Sequence, residues 1–144
     1  MISQTREFLK EWISTHSERG RVLEVGSRDV NGNVKDYFTD FTLYTGSDMQ
    51  GGPNVNVIVN GHDLVKKFGK ESFNVVLCMD TLEHDDKFWL TVDQMRQVLI
   101  PGGYMIITAP SLNCGRHDNP GDYYRFFEDS FRVFFEGYED VVIR

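Results

Sequence analysis

The chain carries little with which to hold a metal by sulfur, grip a polyanion or cross a membrane. Its 144 residues include two cysteines, Cys78 and Cys114, in no CxxC or Cys/His pattern. The common zinc-binding spacings are therefore excluded, and Cys78, set in an apolar run, reads as a small core residue. Lys and Arg number 15 against 22 Asp and Glu, a net charge of −7. With no basic stripe to release counterions, neither nucleic acid nor an acidic membrane surface is expected as a partner. No apolar run approaches membrane length, and MISQTREFLKEW carries charge too early for a signal peptide. The cytoplasm is the expected location. Repeats, linkers and low-complexity segments are also absent, so residues 1–144 are read as one domain. A chain of this size buries roughly 70% of its unfolded surface, enough for a core without staples.

What is present is an alternation of short apolar runs and helical periods. Phe8, Leu9, Trp12, Ile13 and His16 predict a helix over 3–18, ended by Gly20. Strands are predicted at 21–25, 42–46, 55–59, 73–79, 104–109 and 141–143. Further helices are predicted at 32–41, 62–68, 85–99 and 128–136, the last with Phe131, Phe134 and Phe135 inward. The fifth strand follows a break at Pro101-Gly102-Gly103. Such alternation implies a doubly wound, mostly parallel α/β sheet with helices on both faces. Right-handed crossovers put the first strand centrally, in the order 3-2-1-4-5-6. Ligands of such sheets bind beyond the carboxyl ends of the central strands.

The first strand end, RVLEVGSRDVNGNV, also lacks something. Gly26 is there, but Arg28 and Asn31 stand where a dinucleotide-binding turn has its second and third glycines. The phosphate cradle is missing. Asp48 nevertheless lies about 20 residues further on, at the second strand end, where such folds place the acid that bonds ribose hydroxyls. A ribose acid without a cradle suits a nucleoside with no phosphate on that turn, and S-adenosylmethionine fits. Glu24 suits its ammonium, the backbone around Gly26 and Ser27 its amino-acid tail, and Asp48 its ribose diol.

These residues resemble the class I S-adenosylmethionine-dependent methyltransferases, in particular their small-molecule type 11 group. The matching pieces are VLEVGS (22–27), YTGSDM (44–49), VNGHDL (59–64), FNVVLCMDTLEH (73–84) and QVLIPGGYMIITAP (97–110). Each is weak alone, but together they cover most of the chain in the family's order. The resemblance implies a Rossmann-like fold and methyl transfer from S-adenosylmethionine to a small-molecule acceptor. It implies Glu24 and Gly26 at the methionine end, Asp48 at the ribose and Met49 against an adenine face. Asn60 and Gly61 would meet the adenine edge, and Met79 and Asp80 would lie beside the sulfonium. The first motif departs from the family pattern at Arg28 and Val30. The family's last strand is missing, so the chain is either a minimal version or a shortened one. An uncovered sheet edge is expected to favour a homodimer.

Plainer readings stand beside these. Glu24 has a plainer reading as an anion at a helix start and Asp48 as a turn cap, each set below the cofactor contact, and Arg28 reads as a solvated charge. His84 and His117 are the candidates for a general base, needed only for an alcohol, phenol or protonated amine. The run Asp80-x-x-Glu83-His84, with His117 nearby, resembles a divalent-cation pattern of some family members. First-turn carboxylates are favoured by a helix dipole without any metal, and no metal is expected. The segment 116–131 is either an acceptor lid or a surface loop with Phe126 and Phe127 packed on the domain. A non-catalytic S-adenosylmethionine-binding module or partner subunit is the alternative function. A nicotinamide dehydrogenase is disfavoured by the absent glycines.

Overall fold

The strands predicted at 21–25 and 73–79 lie side by side inside the sheet. The computed structural model describes residues 3–16, 20–30, 32–38, 40, 43–117 and 121–144. Its elements are α1 (Ser3–Thr15), β1 (Arg21–Val25), β2 (Leu43–Asp48), β3 (Val57–Ile58), α2 (Leu64–Phe68), β4 (Phe73–Met79), α3 (Phe88–Val98), β5 (Leu99–Thr108) and α4 (Glu128–Phe134). The sheet runs β3-β2-β1-β4-β5, with every pairing parallel. Chain order reverses beside β1, as expected.

Both faces of the sheet are apolar because strand side chains alternate. Val22, Val75, Leu77 and Ile106 pack with Leu9 of α1 and with Val34 and Phe38. Leu23, Val25, Val76 and Cys78 pack on the other face with Leu64, Val92, Met95, Val98 and Phe134 of α2, α3 and α4. Each fully buried Val, Leu or Phe contributes roughly 1.5–3 kcal/mol. Two filled faces therefore hold the central strands rigidly, and the strand ends that carry polar groups inherit that rigidity.

The sheet has five strands, not six. Residues 141–143 form no ladder, and Val141 and Val142 are exposed. Their β-branched pattern suits a strand, but a strand exists only where an edge is engaged. Among the described residues nothing pairs with the outer edge of β5.

The helix expected over 32–41 is a single 3-10 turn, Lys35–Tyr37; residues 39 and 41 lie outside the described ones. The Asp29 carboxylate accepts from Gly32 N and from Asn33 Nδ2, both at 2.9 Å, a cap after which only this single turn forms. The first helix stops at Thr15, and residues 17 and 18 of its expected span lie outside the described residues. The helix expected from 85 begins at Phe88, because Asp85 is drawn off to His62 and Thr91. The break at Pro101-Gly102-Gly103 is an irregularity inside β5, where the register passes from Phe73↔Leu99 to Val75↔Tyr104.

Candidate active site

Gly26 ends β1 with a φ of 77°, a conformation that glycine adopts without strain. Its N–H and that of Ser27 both donate to Ser47 O, at 2.8 and 2.9 Å. A Cβ at position 26 would stand 2.2 Å from Thr81 Oγ1, so the turn packs directly on the Thr81 side chain.

Glu24 lies opposite Gly46 in the β1–β2 register. With no side chain at Gly46, two partners reach the carboxylate. Tyr44 OH and Asn54 Nδ2 both donate to Glu24 Oε2, the latter at 3.1 Å. Asn54 also donates to Ser27 O at 3.1 Å, and its own carbonyl accepts from Ser27 Oγ at 3.1 Å. Neither Tyr44 nor Asn54 was singled out from the sequence. The glycine opposite an acid is the one signal that marks the space they enter.

Burial pushes the Glu24 carboxyl up to about 8, with the charges of Asp29 and Asp48 adding to it and the Asn54 bond opposing it. The unfolded chain ionises this group near 4.5, so between pH 4.5 and 8 the folded state holds the extra proton. Its stabilising share is full below 4.5 and is lost as pH rises through 8. Glu24→Gln keeps an acceptor for Tyr44 and Asn54. We therefore expect the stability of the native protein relative to this variant to fall across that window. The slope should approach about 1.4 kcal/mol per pH unit, and urea titrations of both proteins from about pH 4 to about pH 9 check it.

Asp48 closes β2. Its Oδ1 accepts from Gln50 N at 2.9 Å and its Oδ2 from Arg28 N at 3.3 Å. The residue that replaces the second glycine thus ties the first turn to the acid through its main chain. The Arg28 side chain turns to Gln50 Oε1 at 2.7 Å. The bonds of Asp48 run to main-chain amides and leave lone pairs for further donors. Beside it, Met49 is 57% exposed and Ile58 66%, an open apolar surface next to an acid.

The remaining strand ends are pinned in the same way. Asn60 Oδ1 accepts from His62 N at 2.9 Å and caps the 3-10 turn Gly61–Asp63. His62 Nε2 meets Asp85 at 3.0 Å, and Thr91 Oγ1 donates to the same carboxylate at 2.6 Å. Met79 packs into the α1 side of the core. Asp80, with a φ of 47°, holds a left-handed backbone conformation that few residues other than Gly, Asn and Asp adopt. Its N–H donates to Thr108 O at 3.0 Å, and Thr108 Oγ1 returns a bond to Asp80 Oδ1 at 2.9 Å. Residues in such conformations collect at functional sites. Glu24, Gly26, Ser27, Asp48, Met49, Asn60, Gly61, Met79 and Asp80 therefore line one carboxyl edge of the sheet.

His84 and His117 meet a second feature. Their rings stand 4.9 Å apart, edge to face, and both turn an Nε2 to Glu83 Oε1, at 3.7 and 3.4 Å respectively. Glu83 is fully buried, and burial pushes its carboxyl up. A hydrogen bond to the Gly115 carbonyl is the main cause that raises His117. The loop that brings His117 here is clamped by Arg125, which bonds Asp122, Cys114 O and Gly115 O. Phe126 is buried in the core as expected, but Phe127 is 52% exposed. Its neighbour takes the inward place, and Phe127 stands at the start of α4. Residues 118–120 of this segment lie outside the described ones.

No helix among the described residues is long and apolar enough to cross a membrane. A family model described as a methyltransferase domain matches residues 1–135. No curated protein sequence matches the chain. Among solved structures, an S-adenosylmethionine-dependent methyltransferase from Archaeoglobus fulgidus aligns with a TM-score of 0.72 at 14% identity, over 95% of this chain and 69% of that one. The 1,6-didemethyltoxoflavin-N1-methyltransferase of Burkholderia thailandensis, solved with 1,6-didemethyltoxoflavin and S-adenosylhomocysteine, gives 0.66 at 20% identity, over 89% and 64%. The phosphoethanolamine N-methyltransferase 2 of Haemonchus contortus, in complex with phosphomonomethylethanolamine and S-adenosylhomocysteine, gives 0.62 at 16% identity, over 92% and 35%. The chain thus spans between 35% and 69% of these proteins' lengths, and at such identities the likeness is one of fold.

Proposed function

The chain belongs to the methyltransferase-domain family, and on that premise we propose that it transfers a methyl group from S-adenosylmethionine to a small-molecule acceptor. The observation that carries this reading is the join between the first turn and Asp48. A carboxylate that accepts from two main-chain amides stands beside a turn with Arg28 in the place of the cradle's second glycine. Those groups suit a ribose diol and give a pyrophosphate nothing to rest on.

The residues fit the cofactor in kind. Asp48 would take the ribose hydroxyls, Met49 an adenine face, and Asn60 with Gly61 the adenine edge. Glu24 and the backbone at Gly26 and Ser27 would meet the amino-acid end, with Met79 and Asp80 near the sulfur. When bound, S-adenosylmethionine supplies an electrophilic methyl group on a sulfonium. The protein's own task is then to hold the acceptor in line with that methyl and to exclude water. Orientation of this kind can supply about 7–11 kcal/mol in favourable cases. His84, after β4, and His117, in the loop after β5, would act on an acceptor proton. Pairing of two copies through the free edge of β5 belongs to this proposal, and light scattering tests it.

Calorimetry separates the reading from its rivals. We expect one S-adenosylhomocysteine to bind per chain and NAD to leave no heat of binding. Binding of NAD in its place would overturn the reading, whereas binding of S-adenosylhomocysteine without turnover on a broad acceptor panel would favour a binding module.

A further inference from the structure

Glu24 is 4% exposed, and among the described residues no cation pairs with it. The charged groups that act on it are the carboxylates of Asp29, in the loop after β1, and Asp48, at the end of β2. Its titratable neighbours are Tyr44 of β2, which bonds it, and Cys78 of β4, whose thiol is pushed up by burial and stays neutral. A buried carboxyl in such company keeps its proton, and burial raises Glu24 to about 8.

Two donors share one of its oxygens. Tyr44 OH and Asn54 Nδ2 both donate to Oε2, and such an oxygen has two lone pairs to offer. The acid proton of Glu24 therefore belongs on Oε1. None of the described residues donates to Oε1, and it is not one of the buried polar atoms that lack a partner. Oε1 thus keeps a way to the outside.

Both donors are themselves held. The Tyr44 ring lies 6.3 Å from that of Phe38, a core residue. Asn54 stands at a φ of 67°, in the left-handed region that Asn visits more often than most residues. Its side chain also donates to Ser27 O, and its carbonyl accepts from Ser27 Oγ. Asn54 thereby joins Glu24 to the turn assigned to the amino-acid end of the cofactor. That end carries an ammonium, the positive charge that Glu24 lacks within the protein.

On the reading of methyl transfer given above, we propose that Tyr44 and Asn54 are positioning residues for the cofactor: by occupying Oε2 they present Glu24 Oε1 to the ammonium of S-adenosylmethionine, which takes the place of the proton there. The O–H bond of Glu24 breaks and its proton leaves to solvent. The carboxylate then accepts a hydrogen bond from the ammonium, so one proton is released for each cofactor bound.

Calorimetry of S-adenosylhomocysteine binding in phosphate and in Tris, whose ionisation heats differ, counts the protons. Close to one should be released per chain at about pH 7, and affinity should rise about tenfold per pH unit from about pH 6 until it levels off at about 8. Glu24→Gln should abolish the release and flatten the rise. Tyr44→Phe keeps the ring and loses only the donor, and Asn54→Gly keeps the backbone conformation and loses the amide. With one donor fewer the carboxylate is harder to form. In each of these two variants affinity should be about tenfold lower at about pH 7 and still be climbing at about pH 8, a shift that a merely structural role would not produce. Tyr44→Phe carries the test even where the Asn54 variant disturbs the loop. Equal heats in the two buffers would overturn the assignment, as would an unshifted profile in Tyr44→Phe. So would an affinity that falls as pH rises, the sign expected if neutral Glu24 donated to the cofactor's carboxylate. Each of these leaves the methyl-transfer reading in place, whereas absence of S-adenosylhomocysteine binding at every pH would remove that reading and the assignment with it.

Discussion

Gly46→Ala should lower the unfolding free energy by about 3 kcal/mol or more, at the top of the range for an overpacked core. A Cβ at position 46 would stand 2.0 Å from the carbonyl oxygen of Asn54 and 2.7 Å from Ser27 Oγ. The first of these is main chain, in a loop held by Asn56 N to Gly46 O at 2.8 Å and by Gly46 N to Asn56 Oδ1 at 2.8 Å. It cannot swing aside as a side-chain tip does. The loop would have to lift, and Asn54 would then release both Glu24 and Ser27. The variant is therefore expected to lose S-adenosylhomocysteine affinity along with stability. Gly115→Ala, whose Cβ would meet nothing within 4 Å, is the matched control and should change stability little. Urea unfolding of the three proteins measures the difference.

Asp48→Ala should weaken S-adenosylhomocysteine binding by about 100-fold. A hydrogen bond to a charged acceptor is worth roughly 1.5–3 kcal/mol, and about 1.4 kcal/mol is tenfold in affinity. The alanine also frees Arg28 N and Gln50 N from their shared carboxylate, which loosens the first turn. Asp48→Asn separates the two effects. It retains one oxygen to cap an amide but loses the charge, so an intermediate loss of about tenfold is expected. Calorimetry at matched pH distinguishes the three affinities. Equal affinity in all three would place the ribose elsewhere.

The rigid parts of this fold are readable in the sequence, and the conditional parts are not. β1 and β4 begin and end where the sequence predicts them, because burial on both faces favours runs that are mostly apolar, here interrupted only at Arg21, Glu24 and Asn74. α1 and α3 show their helical period for the same reason, since each offers one stripe to the sheet. The segment after Gly32 has a helical stripe in Val34, Tyr37 and Phe38, yet only a 3-10 turn forms there. Residues 141–143 have a strand's composition without an edge that they engage.

The site divides along the same line. Asp48 and Gly26 are legible from spacing, because a parallel sheet gathers the residues at its strand ends along one edge. Tyr44 and Asn54 are not, since their reach to Glu24 depends on the empty face of Gly46 and on the path of the next loop. The burial of Glu83 is equally hidden. A carboxylate at that place in the chain reads as a helix-start anion until the clamped loop returns His117 from 34 residues away.

A crystal of the protein grown with S-adenosylhomocysteine tests the central claim most directly. The account predicts the nucleoside at the carboxyl ends of β1 and β2, with both ribose hydroxyls within hydrogen-bonding distance of the Asp48 carboxylate. Density for the ligand at any other place, or a ribose turned away from Asp48, would contradict it.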